Sequence, residues 1–160
     1  VLTADAKKTA VFDGLMGDGA KIHTEHRTIY RVHQRVADRY DHGRVLLIGD
    51  SAHLNNPLGG FGMNSGVHDA WNLTEKLAAI LTEGAAAEPL LARYNRQRRT
   101  VMQEFVQAQT IRNKKAMESP DQQAEHQAEM EAILRDDARR RDYLLSQAMV
   151  KSLEREAEIA

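Results

Sequence analysis

The chain has 160 residues, 22 basic and 23 acidic side chains and a formal net charge of −1 at pH 7. That length favours one compact domain, and the balanced charge supplies no field to gather nucleic acid or an anionic membrane surface. With no cysteine, disulfides, thiol nucleophiles and cysteine-based metal sites are excluded, and a reducing, cytoplasmic setting is the expectation. The apolar runs are too short to cross a bilayer, and no basic-then-apolar signal sequence is seen.

Taken in chain order, Thr3 to Leu15 predicts a helix, broken by Gly14, Gly17 and Gly19. Lys21 to His33, KIHTEHRTIYRVH, mixes β-branched and aromatic residues and predicts a strand. Arg44 to Ile48 predicts a short buried strand between Gly43 and Gly49. The stretch NNPLGGFGMNSG holds four glycines and a proline in twelve residues, which predicts a loop approaching something closely. A helix follows from about Asn64 to Leu81, with Val67, Ala70, Trp71, Leu77, Ala78 and Leu81 at spacings of three and four. Leu73 and Ile80 give it a second apolar side, so it is expected to be buried on much of its circumference. Pro89 suits the first turn of the next helix, whose inner face is predicted as Leu90, Tyr94, Val101, Phe105 and Ala108, out to about Lys115. Ser119-Pro120-Asp121 marks a break before two sparsely apolar helices, about 121–135 and 136–157. The fold class expected is mainly α with a few β-strands, an α+β arrangement.

The string RVLLIGDSAH places Ser51 and His53 directly after an apolar run. Gly-Asp-Ser in that setting resembles the first block of the GDSL-type serine esterases. A serine nucleophile needs a base and an orienting acid. The only late histidine is His126, with Gln123 three residues before it, so the esterase reading is set aside. His23 and His26 form H-x-x-H, but on a strand they would point to opposite faces, and no metal site is expected. The glycine loop lacks the Gly-Lys-Ser/Thr of a P-loop. Arg96, Arg98 and Arg99, and Arg139 to Arg141, read as solvated helix faces.

A cofactor reading fits the order strand, Gly-Asp, glycine loop, helix. Ligands of open α/β folds bind outside the carboxyl ends of strands, where Asp50 would sit. An ionised carboxylate accepts hydrogen bonds and so suits a polyol or ribose chain. Gly59, Gly60 and Gly62 would let backbone approach a flat ligand. Free N–H groups from about Met63 to Gly66, at the positive end of the helix dipole, would favour negative charge.

Residues 44–81, read with Gly43 before them, contain GRVLLIGDSAH, PLGGFGMN, DAWNL and KLA in that order. They resemble the second flavin motif of the group A FAD-dependent aromatic monooxygenases, the para-hydroxybenzoate hydroxylase type. YRVHQRVADRYDHGRV ahead of the motif and YNRQRR after it extend the resemblance over roughly residues 20–115. The resemblance implies the C-terminal part of a Rossmann-like FAD/NAD(P)-binding fold. It also implies FAD as cofactor, NADH or NADPH as reductant, and hydroxylation of an aromatic or related ring by O2 through a flavin hydroperoxide.

Carried over by position, Asp50 matches the aspartate that binds the ribityl chain, and Pro57 the proline beside the flavin and the reacting substrate carbon. Gly60 and Gly62 match glycines along the isoalloxazine, and Met63 and Asn64 the positions whose amides meet its N1/C2-carbonyl edge. Gly49 and Gly59 complete the implied cofactor set. Ser51 stands where alanine is commoner, and Asn56 where many members have a second proline. Trp71 and Phe61 are read as packing residues, while His33 and His53 remain candidates to touch FAD or substrate. No catalytic acid or base is named within this chain.

The diphosphate-binding Gly-x-Gly-x-x-Gly is absent, and neither Asp13-Gly14 nor Asp18-Gly19 has the surroundings of the family's Asp-Gly segment. The expectation is therefore the C-terminal part of a hydroxylase whose N-terminal part carries that motif. Its expected divisions are 1–34 (end of a substrate-domain region), 35–115 (second half of the FAD-binding domain) and 116–160 (a helical extension). Neither nucleic acid nor membrane is expected as a partner. The sparse apolar stripes of 117–160 could pack a partner or a second copy in a homodimer. They also leave open a non-catalytic helical interaction domain without flavin.

Overall fold

The computed structural model describes residues 4–17, 23, 25–26 and 31–160. Its compact units are Val1–Arg31 and Val32–Ala160. In the first, α1 spans Ala4–Met16, as the sequence predicts, with Val11, Leu15 and Met16 exposed. Most of the strand predicted over Lys21–His33, and Asp18-Gly19, lie outside the described residues. The described part of that stretch forms no strand, in keeping with an alternation that never becomes strict.

The second unit opens with two nested antiparallel pairs. β2 (Asp41–His42) and β3 (Val45–Leu46) form a hairpin that pairs Asp41 with Leu46 and His42 with Val45. Its turn places Gly43 at φ +62°, a conformation glycine enters without steric cost. Outside it, β1 (Arg35–Val36) pairs with β4 (His53–Leu54). The strand predicted over Arg44–Ile48 is therefore only two residues long. Nor is it buried, for Val45 is 60% exposed. Between β3 and β4 the chain makes one 3₁₀ turn, Gly49–Ser51.

Helices supply the rest. α2 runs Phe61–Thr82 and begins earlier than its predicted start at Asn64, because Gly60 takes the N-cap position at φ +71°. The expected burial around most of its circumference is not observed: Met63, Val67, Trp71 and Leu81 are exposed. Trp71 is thus not a packing residue within this chain, whereas Phe61 is.

α3 (Ala87–Val101) continues through a π-helical segment, Met102–Gln107, into α4 (Ala108–Lys115). The predicted single helix to Lys115 is present, but its inner face is not the predicted one. Tyr94 and Val101 are buried as expected, and beyond them Met102, Val106 and Thr110 turn inward while Ala108 is exposed. A π turn holds more residues than an α turn, so the buried face moves one to two positions along the sequence.

α5 (Pro120–Arg135) starts where Ser119 Oγ accepts the Gln122 amide at 3.3 Å, with proline in its first turn. The helix predicted over 136–157 is two helices, α6 (Asp137–Gln147) and α7 (Val150–Glu158). Between them Met149 adopts φ +61° and is buried against Phe61, Met102 and Val106. That packing offsets the strain of a left-handed methionine.

A second cluster joins the strands to α2 and α3: Tyr40, Ala52, Leu73 and Tyr94, with Leu46, Leu47 and Leu77 against them. α3 is also tied to the strand region by hydrogen bonds. Tyr94 Oη donates to Leu47 O at 2.6 Å, Arg99 Nε donates to Ala37 O at 2.9 Å, and Asn95 Oδ1 accepts the Tyr40 amide at 2.8 Å. The shifted face of the long helix has a direct test by denaturant unfolding. Met102→Ala should cost about 2–5 kcal/mol, and Ala108→Lys should stay within about 0.5 kcal/mol.

Candidate functional site

The Gly49–Ser51 turn sits against α2 at two glycines. A Cβ on Gly66 would lie 3.3 Å from Gly49 Cα, and Gly49 itself has φ +54°. A side chain at Gly66 would crowd the turn, and the positive φ of Gly49 favours glycine there. The turn is then fixed by hydrogen bonds at both ends. Ser51 Oγ accepts the Ile48 amide at 3.2 Å and donates to Ile48 O at 2.7 Å. The serine that resembled a nucleophile is a local clasp. The Gly49 amide donates to Asp69 Oδ2 at 2.9 Å. Asp50 is left exposed, and its carboxylate receives no hydrogen bond among the described residues.

Asp69 is fully buried on α2. Its Oδ2 also meets His53 Nε2 at 2.6 Å. A carboxylate only accepts, so Nε2 carries the proton. Its Oδ1 accepts from Arg98 Nε at 2.7 Å. Burial alone would raise the Asp69 pKa; the hydrogen bond from His53 and the Arg98 charge outweigh it and hold the carboxyl below its ordinary value. Arg98 is likewise fully buried. Burial works against its charge, but Asp69 and Glu156 together raise its pKa. This corrects the reading of Arg98 as a solvated residue. His53 is 2% exposed and bound to Asp69, so it is not free to touch a ligand.

The glycine loop leads from β4 to α2. Asn56, at the position where a second proline is commoner, is its anchor. Asn56 Nδ2 donates to Gln34 Oε1 at 2.9 Å and to Thr110 O at 3.0 Å, while Oδ1 accepts the Leu58 amide at 3.1 Å. Pro57 is exposed and borders an open cavity of about 480 Å³ with His33, Gln34, Leu58, Ile111 and Lys114. A Cβ on Gly59 would fall 2.3 Å from the Phe61 ring at φ +110°, so this position too excludes other residues. Gly60 caps α2 and Gly62 lies in its first turn beside the Asn55 side chain.

Because α2 starts at Phe61, the amides without an intrahelical acceptor are those of Phe61, Gly62 and Met63. This shifts the expected donor set from Met63–Gly66 toward the N-terminus. The Asn64 side chain folds back onto Gly60 O at 3.4 Å. Met63 is 80% exposed. Gly49, Asp50, Gly60, Gly62, Met63 and Asn64 thus lie on one turn and the helix start beside it, while Pro57 and Gly59 lie on the loop that leads there. Among the described residues no cluster of three or more His, Asp or Glu could hold a metal ion, and no helix is long and apolar enough to cross a membrane.

His53, Asp69, Arg98 and Asn56 were not assigned these roles from the sequence. One signal was present: Arg98 lies four residues after Tyr94 and three before Val101, a charge in register with an apolar face. The folded-state pKa of Asp69 is depressed, so the stability it contributes is complete above its unfolded value, about pH 4. It is lost as pH falls from there through the lower folded value. Asp69→Asn should therefore lower stability by about 3–5 kcal/mol at pH 7. The difference from the parent should shrink as melting is followed below about pH 4.

The FAD binding domain family matches residues 7–109, more than half of the chain. Para-nitrophenol 4-monooxygenase of Pseudomonas sp. (strain WBC-3) is 42% identical over 97 residues, which cover 61% of this chain and 24% of that protein. Among solved structures, p-nitrophenol 4-monooxygenase PnpA from Pseudomonas putida DLL-E4 superposes with a TM-score of 0.73 at 35% identity, over 92% of this chain and 40% of that one. CabE, an aromatic hydroxylase from angucycline biosynthesis, gives a TM-score of 0.72 at 29% identity, over 92% of this chain and 30% of that one. The chain therefore spans well under half the length of these relatives. It belongs to the FAD binding domain family, that of the group A FAD-dependent aromatic monooxygenases.

Proposed function

We propose that this chain forms one side of the FAD site in a flavin-dependent monooxygenase that hydroxylates an aromatic ring with O2 and NADH or NADPH, in a Rossmann-like FAD-binding domain. The observation that carries the reading is the Asp50 carboxylate: exposed, unpaired among the described residues and held on a turn whose preceding amide is fixed by a buried charge. A carboxylate that accepts from no protein group is suited to the hydroxyls of a ribityl chain.

The start of α2 fits the other end of such a ligand. The amides of Phe61, Gly62 and Met63 have no helical acceptor, and the dipole there favours partial negative charge. Gly59, Gly60 and Gly62 keep side chains off the path between. Pro57 and the cavity beside it are assigned to the substrate side, where apolar walls would seat an aromatic ring and keep water out. Bound FAD would supply the oxygen-activating redox chemistry; the residues of this chain would bind and orient it.

The diphosphate would be held by a Gly-x-Gly-x-x-Gly segment outside this chain, so the 160 residues alone are expected to retain FAD weakly and to be inactive. The cysteine-free composition supports a cytoplasmic setting. In a full-length protein, Asp50→Ala should weaken FAD binding about tenfold to a hundredfold, the loss of one charge-assisted hydrogen bond at about 1.5–3 kcal/mol. Ser51→Ala should leave FAD affinity and turnover within about twofold, since the turn stays anchored by the Gly49 amide on Asp69. Flavin fluorescence titration measures both. Equal FAD affinity in Asp50→Ala and parent would count against the reading.

A further inference from the structure

Helix α7 lies about a hundred residues beyond the Gly49–Asp50 turn in sequence, yet a continuous line of polar groups, buried at Asp69 and Arg98 and half-buried at its two ends, joins them. Gly49 N–H donates to Asp69, and Asp69 accepts from Arg98 on α3. Arg98 Nη1 pairs with the Glu156 carboxylate on α7, and its Nη2 donates to Ser65 O at 3.3 Å on α2. The other Glu156 oxygen accepts from Asn72 Nδ2. Lys76 Nζ closes the group by donating to Asn72 Oδ1 at 2.6 Å. α7 is seated over Arg98 by its own backbone. Gln97 Nε2 donates to Glu156 O at 3.0 Å and Ile159 O at 2.9 Å, and Arg96 Nη2 donates to Ala160 O at 2.7 Å.

We infer that Glu156 is a positioning residue: through Arg98 and Asp69 it holds the Gly49–Asp50 turn in place, so that docking of α7 sets the geometry of the flavin-facing turn. Arg98 is fully buried between two carboxylates. Without Glu156 the two buried cations of the group, Arg98 and Lys76, face a single buried carboxylate, Asp69, and one charge is left uncompensated in a low-dielectric setting, which is costly. The guanidinium must then move toward water, and Asp69 is drawn with it or loses its partner. Either movement strains the Gly49 amide contact, because that amide donates to the same Asp69 carboxylate at 2.9 Å. A solvent-facing carboxylate would not act this way. Glu158, in the same helix, has a side chain 67% exposed and, among the described residues, pairs with Arg155. The inference about the turn stands on geometry alone; its consequence for flavin rests on the reading of Asp50 given above.

The test is amide hydrogen exchange at Gly49 in a full-length protein, followed by mass spectrometry with residue-level fragmentation at a temperature where every variant is folded. Glu156→Gln is expected to speed Gly49 exchange at least tenfold. Glu158→Gln should leave it within twofold. Asp136→Ala, which removes the α6 cap and lowers stability away from the line, should also leave it within twofold. If Glu156→Gln does not fold, Glu156→Asp, which keeps the charge but shortens its reach, carries the same expectation. Unchanged Gly49 exchange in the folded variant overturns the inference. So does acceleration equal to that in Asp136→Ala, which would reduce Glu156 to general stability. FAD affinity of full-length Glu156→Gln and Asp50→Ala proteins separates the two claims. Faster Gly49 exchange with no loss of FAD in Asp50→Ala upholds the positioning line and sinks the flavin reading. Weaker FAD in Asp50→Ala with unmoved Gly49 exchange in Glu156→Gln does the reverse.

Discussion

The buried carboxylate of Asp69 is the constraint on which the arrangement depends. It gathers donors from three parts of the chain: the Gly49 amide, the His53 ring and the Arg98 guanidinium. An ionised carboxylate in a protein interior is tolerable only when its oxygens are met in this way. The same requirement forces β4, α2, α3 and the 3₁₀ turn into one relative placement. Asp50 is exposed because its neighbour Gly49 is held. The site is thus organised by a group that does not face it.

The two hydrophobic clusters divide the remaining work. Tyr40, Ala52, Leu73 and Tyr94 seat the strands on α2 and α3. Phe61, Met102, Val106 and Met149 seat the start of α2 on the π-helical segment and on the turn before α7. The second cluster bears on function, since Phe61 opens the helix whose free amides are assigned to the flavin. Three exposed apolar residues of α2, Met63, Val67 and Trp71, follow one another at intervals of four along one side of that helix.

What the sequence disclosed follows from physics of different range. The Gly-Asp turn, the glycine loop and the long α3–α4 helix were legible because glycine, proline and helical periodicity act locally. The resemblance over residues 44–81 implied for Asp50 the ribityl-binding role that is proposed for it above. What was not legible depended on contacts distant in the chain. Arg98 looked like one arginine of a solvated YNRQRR stretch; only the convergence of Asp69 and Glu156 makes its burial affordable. The inner face of α3–α4 was mislaid beyond Val101 because no residue type marks a π turn. The break at Met149 was missed because methionine gives no sign of a left-handed conformation until Phe61 and Val106 surround it. Trp71 was read as packing because an apolar residue at helical spacing does not say whether its partner lies in the same chain.

A crystal structure of a full-length protein with FAD tests the account most directly. The account predicts the Asp50 carboxylate within hydrogen-bonding distance of the ribityl hydroxyls, and the Met63 amide directed at the N1/C2-carbonyl edge of the isoalloxazine. FAD bound away from the Gly49–Ser51 turn, with Asp50 facing solvent, would contradict it.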